Sequence, residues 1–205
     1  MAIRYMVYVL VLMAGAAALM ANQGQGWKKV KAFYAGTSNV RSLSVAELQA
    51  LAKQTDAQRE LSYRYADGNG VEKNAAIAFE WQLKAAMAGA DDDQARIGWF
   101  YEKGEGTEPD AFQAAMWYKK SAEQGNKYAQ NLLGLLQIEG RGTETNLSSG
   151  CRWIEKSAEQ GLAEAQHNIG YYYSKDGVCG ENPAKAVQFL EKAAQQGYSD
   201  AAFHL

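Results

Sequence analysis

The stretch Glu155-Lys156-Ser157-Ala158-Glu159-Gln160-Gly161 decides how the chain is read. Thirty-six residues earlier stands Lys119-Lys120-Ser121-Ala122-Glu123-Gln124-Gly125, nearly the same word. The same step reaches Gly89, closing Leu83-Lys84-Ala85-Ala86-Met87-Ala88-Gly89, and Gly197, closing Glu191-Lys192-Ala193-Ala194-Gln195-Gln196-Gly197. A fixed period of about 20 to 50 residues marks an array of repeated units, each burying its apolar face on its neighbours.

Addition of 36 aligns every unit. The first helix carries Leu61-Ser62, Ile97-Gly98, Leu133-Gly134 and Ile169-Gly170, a branched residue beside a small one that admits a second helix closely. One turn on come Tyr65, Tyr101, Gln137 and Tyr173. Gly68-x-Gly70, Gly104-x-Gly106 and Gly140-x-Gly142 then stop the helix, because glycine accepts the left-handed backbone of a helix end. The fourth unit departs at Gly177 to Gly180. Second helices start at Asn74, Asp110, Asn146 and Asn182, whose side chains accept from first-turn amides, with Pro183 favourable just after. Trp81, Trp117, Trp153 and Phe189 share one register position, between Ala78, Ala114, Gly150, Ala186 and Ala86, Ala122, Ala158, Ala194. Each such ring, if buried, contributes about 1.5–3 kcal/mol.

The pattern of Ala129-Gln130, Leu133-Gly134, Gly140-x-Gly142, Trp153, Lys156-Ser157-Ala158 and Gly161 resembles the Sel1-like repeat family, relatives of the tetratricopeptide repeats. The resemblance covers about Ala57 to Leu205. It implies an all-α fold: a right-handed α-solenoid of four 36-residue helix-turn-helix repeats with flanking cap helices, binding other proteins. The departures are Lys53-Gln54-Thr55, where the closing glycine is absent, and the turn at Gly177. Ala201 to Leu205 reads as the start of a fifth first helix.

Ser44-Val45-Ala46-Glu47 ahead of the array is a capping box, predicting a short helix over about Val45 to Gln54. Before it, Arg4 precedes an apolar run to Ala21 with small residues at its end, the form of a cleaved signal peptide. The rival is an uncleaved anchor, since no charge falls between Arg4 and Lys28. The expected organisation is signal peptide or anchor 1–21, linker 22–41 and repeat domain 42–205, with Trp27, Phe33 and Tyr34 available to dock the linker. The expected location is periplasmic or secreted, or anchored to the inner membrane.

With 21 basic and 23 acidic residues, the net charge of -2 points away from nucleic acid. Membrane contact is expected only through an uncleaved N-terminal segment. The histidines are His167 and His204, and no metal-protease, nucleophile-elbow or phosphate-loop motif occurs. None of the ten serines has lysine three residues on, as a serine β-lactam enzyme needs. No catalytic residue, metal or cofactor is expected; Asp91-Asp92-Asp93 reads as charge favourable to a helix start. Cys151 and Cys179 sit in stacked units, and export permits a disulfide if their Cα atoms come within about 7 Å. Otherwise Cys151 is a small core residue.

Tyr63, Trp99, Leu135 and Tyr171 follow the branched-small pair and share one register position, with Arg59, Ala95, Asn131 and His167 one turn earlier. In the fold that the resemblance implies, first helices line the concave face. An aromatic stripe edged by polar groups suits a protein groove; the other reading packs these rings between first helices. The function expected is an exported, non-enzymatic protein-binding scaffold, most specifically a periplasmic immunity protein neutralising a secreted toxic effector such as a lipase. The alternatives are a membrane-associated adaptor in signalling or envelope assembly and, third, an enzyme on cell-wall or β-lactam substrates. The N-terminal reading predicts that Edman sequencing of exported protein begins between Leu19 and Gln23; an intact Met1 in the membrane fraction would establish the anchor.

Overall fold

The computed structural model describes residues 39–174 and 178–202. The expected signal segment, the linker up to residue 38 with its three rings, the turn at Gly177, His204 and the last residues of the fifth first helix lie outside the described residues. The described residues are helical with no strand, and they form two compact units divided between Ala88 and Gly89.

In the first unit, a 3-10 turn at Val40–Ser42 precedes α1 (Val45–Ala50), α2 (Thr55–Asp67) and α3 (Ala75–Met87). The capping box is present: Ser44 N–H donates to Glu47 Oε2 at 2.6 Å, and Glu47 N–H donates to Ser44 Oγ at 3.4 Å. Helix α1 stops at Ala50, short of Gln54, because Gln54 takes extended backbone (φ -89°, ψ 131°) to begin α2. Its Leu48 joins Leu43, Leu51, Ala57 and Leu61 in one buried cluster, with Tyr65 and Trp81 against it. The short helix thus covers apolar surface of α2.

The second unit holds α4 (Asp91–Lys103), α5 (Ala111–Glu123), α6 (Lys127–Glu139), α7 (Leu147–Glu159), α8 (Ala163–Ser174), α9 (Pro183–Gln195) and α10 (Ser199–Ala202). Helices α4 with α5, α6 with α7 and α8 with α9 pack as pairs, and α5 with α6 and α7 with α8 join pair to pair. This is the stacking of an α-solenoid. Asn74, Asp110, Asn146 and Asn182 each accept a first-turn amide at 2.9–3.1 Å, as expected. Gly68, Gly104 and Gly140 cap first helices at φ 77°, 71° and 69°.

The small residue of each first helix sets the pair distance. A Cβ on Gly134 would lie 2.7 Å from the Gly150 carbonyl oxygen, and one on Gly98 would lie 2.7 Å from the Tyr118 ring. The residues facing these positions, Tyr118, Ile154 and Leu190, are at most 1% exposed, with Gln82 in the same register in the first unit. They lie deeper than the predicted ring row: Trp117 and Phe189 are buried, but Trp81 and Trp153 only partly so. The depth was not legible because the deepest row changes chemistry from unit to unit while the row of Trp81, Trp117, Trp153 and Phe189 is aromatic throughout.

Polar side chains then staple the pairs. Ser121 Oγ donates to the Asp91 carbonyl and Ser157 Oγ to the Lys127 carbonyl, both at 2.7 Å. Gln124, Gln160 and Gln196 donate through Nε2 to Oε1 of Gln94, Gln130 and Gln166 at 2.7–2.8 Å. Gln124 and Gln160 also donate to the Gly89 and Gly125 carbonyls at 2.9 Å. The repeated Ser and Gln of the opening stretch are therefore inter-helix donors, each contributing about 1 kcal/mol net. The repeated lysine covers a ring: Lys84, Lys120 and Lys156 Nζ lie 4.1, 4.2 and 4.6 Å from the centroids of Trp81, Trp117 and Trp153.

Trp117 is 7% exposed. Trp117→Ala is expected to cost about 3–5 kcal/mol in a denaturant titration; a loss below about 1 kcal/mol would mean the ring is not core.

Candidate protein-binding face

Tyr63, on α2, is 36% exposed in the first unit. It lines a shallow cleft of ≈ 290 Å³ with Arg41, Glu60, Arg64, Asp67 and Asn69. Two of its charges are committed to each other, because Arg64 donates to Glu60 Oε1 at 2.9 Å, and Arg64 also donates to the Arg41 carbonyl at 3.0 Å.

In the second unit, Trp99, Leu135 and Tyr171 stand at one register position on the successive first helices α4, α6 and α8. Trp99 is 40% exposed. Leu135 is half-buried against the cluster of Cys151, Ile154, Ile169 and Phe189, and Tyr171 is half-buried with its ring edge-on to Tyr172 at 5.7 Å. Exposure falls from Trp99 to its two equivalents, so the row is partly exposed surface and partly packing.

The row one turn earlier is corrected. Asn131 is 1% exposed, and its Oδ1 accepts from Asn168 Nδ2 of α8 at 3.1 Å. His167 is half-buried, with its ring 5.1 Å from that of Tyr198 beyond α9. Both turn toward the following repeat, because a residue one turn back and slightly around the helix meets the neighbouring pair rather than solvent. In the first unit, half-buried Arg59 pairs with exposed Asp56 at 3.0 Å. An exposed ring was missed: Tyr128, 54% exposed, lies seven residues before Leu135 and so on the same face of α6. That spacing was the available signal.

Cys151 on α7 and Cys179 before α9 are joined as a disulfide, with Cα atoms 5.6 Å apart. Asp91, Asp92 and Asp93 stand in the first turn of α4, as expected of charge at a helix start, and Asp93 is 1% exposed there. Asp91 and Asp92 accept from Asn126 Nδ2 at 3.1 and 2.8 Å, and Asn126 Oδ1 in turn caps α6. Among the described residues no cluster of three or more His, Cys, Asp or Glu is gathered for a metal ion.

Electrostatics at the loops is structural in character. The Tyr118 hydroxyl donates to Glu102 Oε2 at 2.8 Å, and Arg141 Nη1 lies 3.5 Å from Glu102 Oε1. Burial first, then the Glu102 charge, pushes the Tyr118 phenol up. Burial likewise raises Tyr172, with Glu139 adding to it, and Tyr173, with Glu155 adding to it. Hydrogen bonds to carboxylates raise Arg141 and Lys185. All these displacements lead away from neutrality, so these groups are held in their neutral-pH forms rather than poised to exchange protons.

Sequence comparison finds four matches to the Sel1 repeat, at residues 55–89, 92–126, 127–162 and 163–198. No curated protein matches the chain. Among solved structures, a Sel1 repeat protein from Oxalobacter formigenes is 32% identical, with TM-score 0.70 over 86% of this chain and 70% of that one. A protective antigen of uropathogenic Escherichia coli with an SLR fold is 28% identical, with TM-score 0.75 over 90% of this chain but only 41% of its own. An immunity protein from Pseudomonas aeruginosa, 23% identical with TM-score 0.50 over 78% and 60%, shares the fold.

The placement of Asn131 predicts that Asn131→Ala lowers stability by about 1 kcal/mol, leaving Asn168 short of a partner, without weakening partner binding. Unchanged stability by urea titration together with lost binding would return Asn131 to the binding face.

Proposed function

The chain belongs to the Sel1 repeat family, and from that premise we propose an exported scaffold whose first-helix face in the second unit grips another protein. Sel1 repeats generally mediate protein–protein binding, and Sel1 repeat proteins are typically non-enzymatic scaffolds. The observation that carries the reading is Trp99. It is 40% exposed immediately after Ile97 and Gly98, which are spent on the core. Interface energy concentrates in large rings, so Trp99 is the anchor, with Tyr128 on α6 and Tyr171 on α8 further along the array.

The specific version is a periplasmic immunity protein that neutralises a secreted toxic effector such as a lipase. The apolar N-terminal run supports export, and a protein of the same fold bears the name immunity protein. A gene for a secreted lipase or toxin beside this one would favour that version; a sensor or cell-wall enzyme would favour an adaptor.

Trp99→Ala is expected to weaken partner binding by about 2 kcal/mol or more, with the unfolding midpoint close to wild type. Pull-down and thermal melt on one purified variant test both halves. Surviving binding would move the partner to another surface, and joint loss of binding and fold would make Trp99 core.

A further inference from the structure

The loops that join first to second helices are held to the preceding pair in two different ways. In the third repeat the hold is close packing and charge. Gly142, at φ 66°, lies so near the Ala111 carbonyl and Phe112 amide at the start of α5 that any Cβ there would collide. Beside it, Arg141 reaches Glu102 near the end of α4. In the fourth repeat neither device exists in the sequence: Val178 stands where Gly142 stands, and Gly177 stands where Arg141 stands. A valine side chain forbids the same approach. At the next residue, Cys179 is bonded to Cys151 in the second turn of α7.

The fourth pair is also short of a staple. Ser121 and Ser157 donate to the start of their partner helices, but the equivalent residue on α9 is Ala193. The α8–α9 pair keeps the Gln196–Gln166 bond. It thus lacks the serine bond, the glycine backbone contact and the Arg141–Glu102 type of loop ion pair of the third repeat. Toward the preceding pair it has the Lys185–Glu155 ion pair at 2.6 Å, the Asn168–Asn131 bond at 3.1 Å and one covalent link, the only one of these that holds the loop itself among the described residues.

We infer that the Cys151–Cys179 disulfide is a redox condition on the fourth repeat: oxidation fastens α8 and α9, and Tyr171 with them, to the array. The regulatory consequence rests on the reading that the face bearing Tyr171 binds the partner. Two thiols give up two electrons and two protons. A protein or small-molecule disulfide accepts them by exchange and leaves as a dithiol. Cys179, partly exposed, forms the mixed disulfide, and the Cys151 thiolate attacks it to close the bridge. An oxidising compartment outside the cytosol supplies that oxidant, so the binding face is completed only after export.

Hydrogen exchange on the full chain, oxidised and after treatment with a phosphine reductant, tests this without any partner. Reduction frees a segment with a sequence separation of 28. Amides of α8 and α9 are expected to lose protection on the order of a hundredfold, while those of α4 to α6 stay within about threefold. Cys151→Ala/Cys179→Ala should show the reduced pattern without reductant; if it does not fold, the reduced wild-type chain still decides. Unchanged exchange in α8 and α9, or an equal loss through α4 to α6, overturns the inference. Failure of the binding-face reading looks different: exchange responds to reduction, yet Trp99→Ala leaves partner binding intact.

Discussion

Two helices reach backbone contact only where one of them gives up its side chain. At Gly98, Gly134 and Gly170 the first helix does so, and the facing Tyr118, Ile154 or Leu190 fills the space. In the third repeat both sides yield, because Gly134 and Gly150 lie against each other's carbonyls. Everything polar in the pairs depends on this approach. Glutamine is short, and Gln160 reaches Gln130 Oε1 at 2.7 Å only because the helix axes are already close. An added methyl at Gly134 would therefore disturb the staple along with the packing, since interiors of this density pass displacements on.

The same constraint decides which residues are left on the outside. Core rows use the small residue, the branched residue before it and the alanines of the second helix. The next residue after the small one points out of the pair, and there the rings stand. Lysine over tryptophan does the opposite work on the second helices, covering rings whose other face is packed. Trp99 differs from them: it is 40% exposed, and its ring stands edge-on to that of its neighbour Phe100 at 5.7 Å.

Repeat period, helix starts at Asn and Asp, and glycine stops were legible because each depends on a few neighbouring residues. Tyr118, Ile154 and Leu190 were not recognised as the deepest row, since depth depends on what faces them across the pair, and a tyrosine, an isoleucine and a leucine share neither shape nor polarity. Asn131 and His167 were misplaced for a related reason. A helix position near the edge of a face is solvent or interface depending on the angle of the next pair, which no local pattern states. The repeated Gln and Ser were plain as letters, but their partners stand 30 residues back, as in Gln124 to Gln94 and Ser121 to Asp91, and composition gives no hint of that distance.

The departures from the repeat fall where the array has fewer neighbours to help. The first pair carries Ser62, Gln82, Ala85 and Ala88 at positions that elsewhere hold a glycine, a large core residue, a serine staple and a glutamine staple. The fourth carries Ala193 and Val178. The second and third pairs keep both staples, and they bear Trp99, Tyr128 and Leu135. A binding surface must hold its rings in place against the loss of their freedom, and side-chain ordering costs least on a scaffold already fixed. The most exposed ring of the row thus stands on a doubly stapled pair, and the pair that lacks the second staple has a covalent bond in its stead.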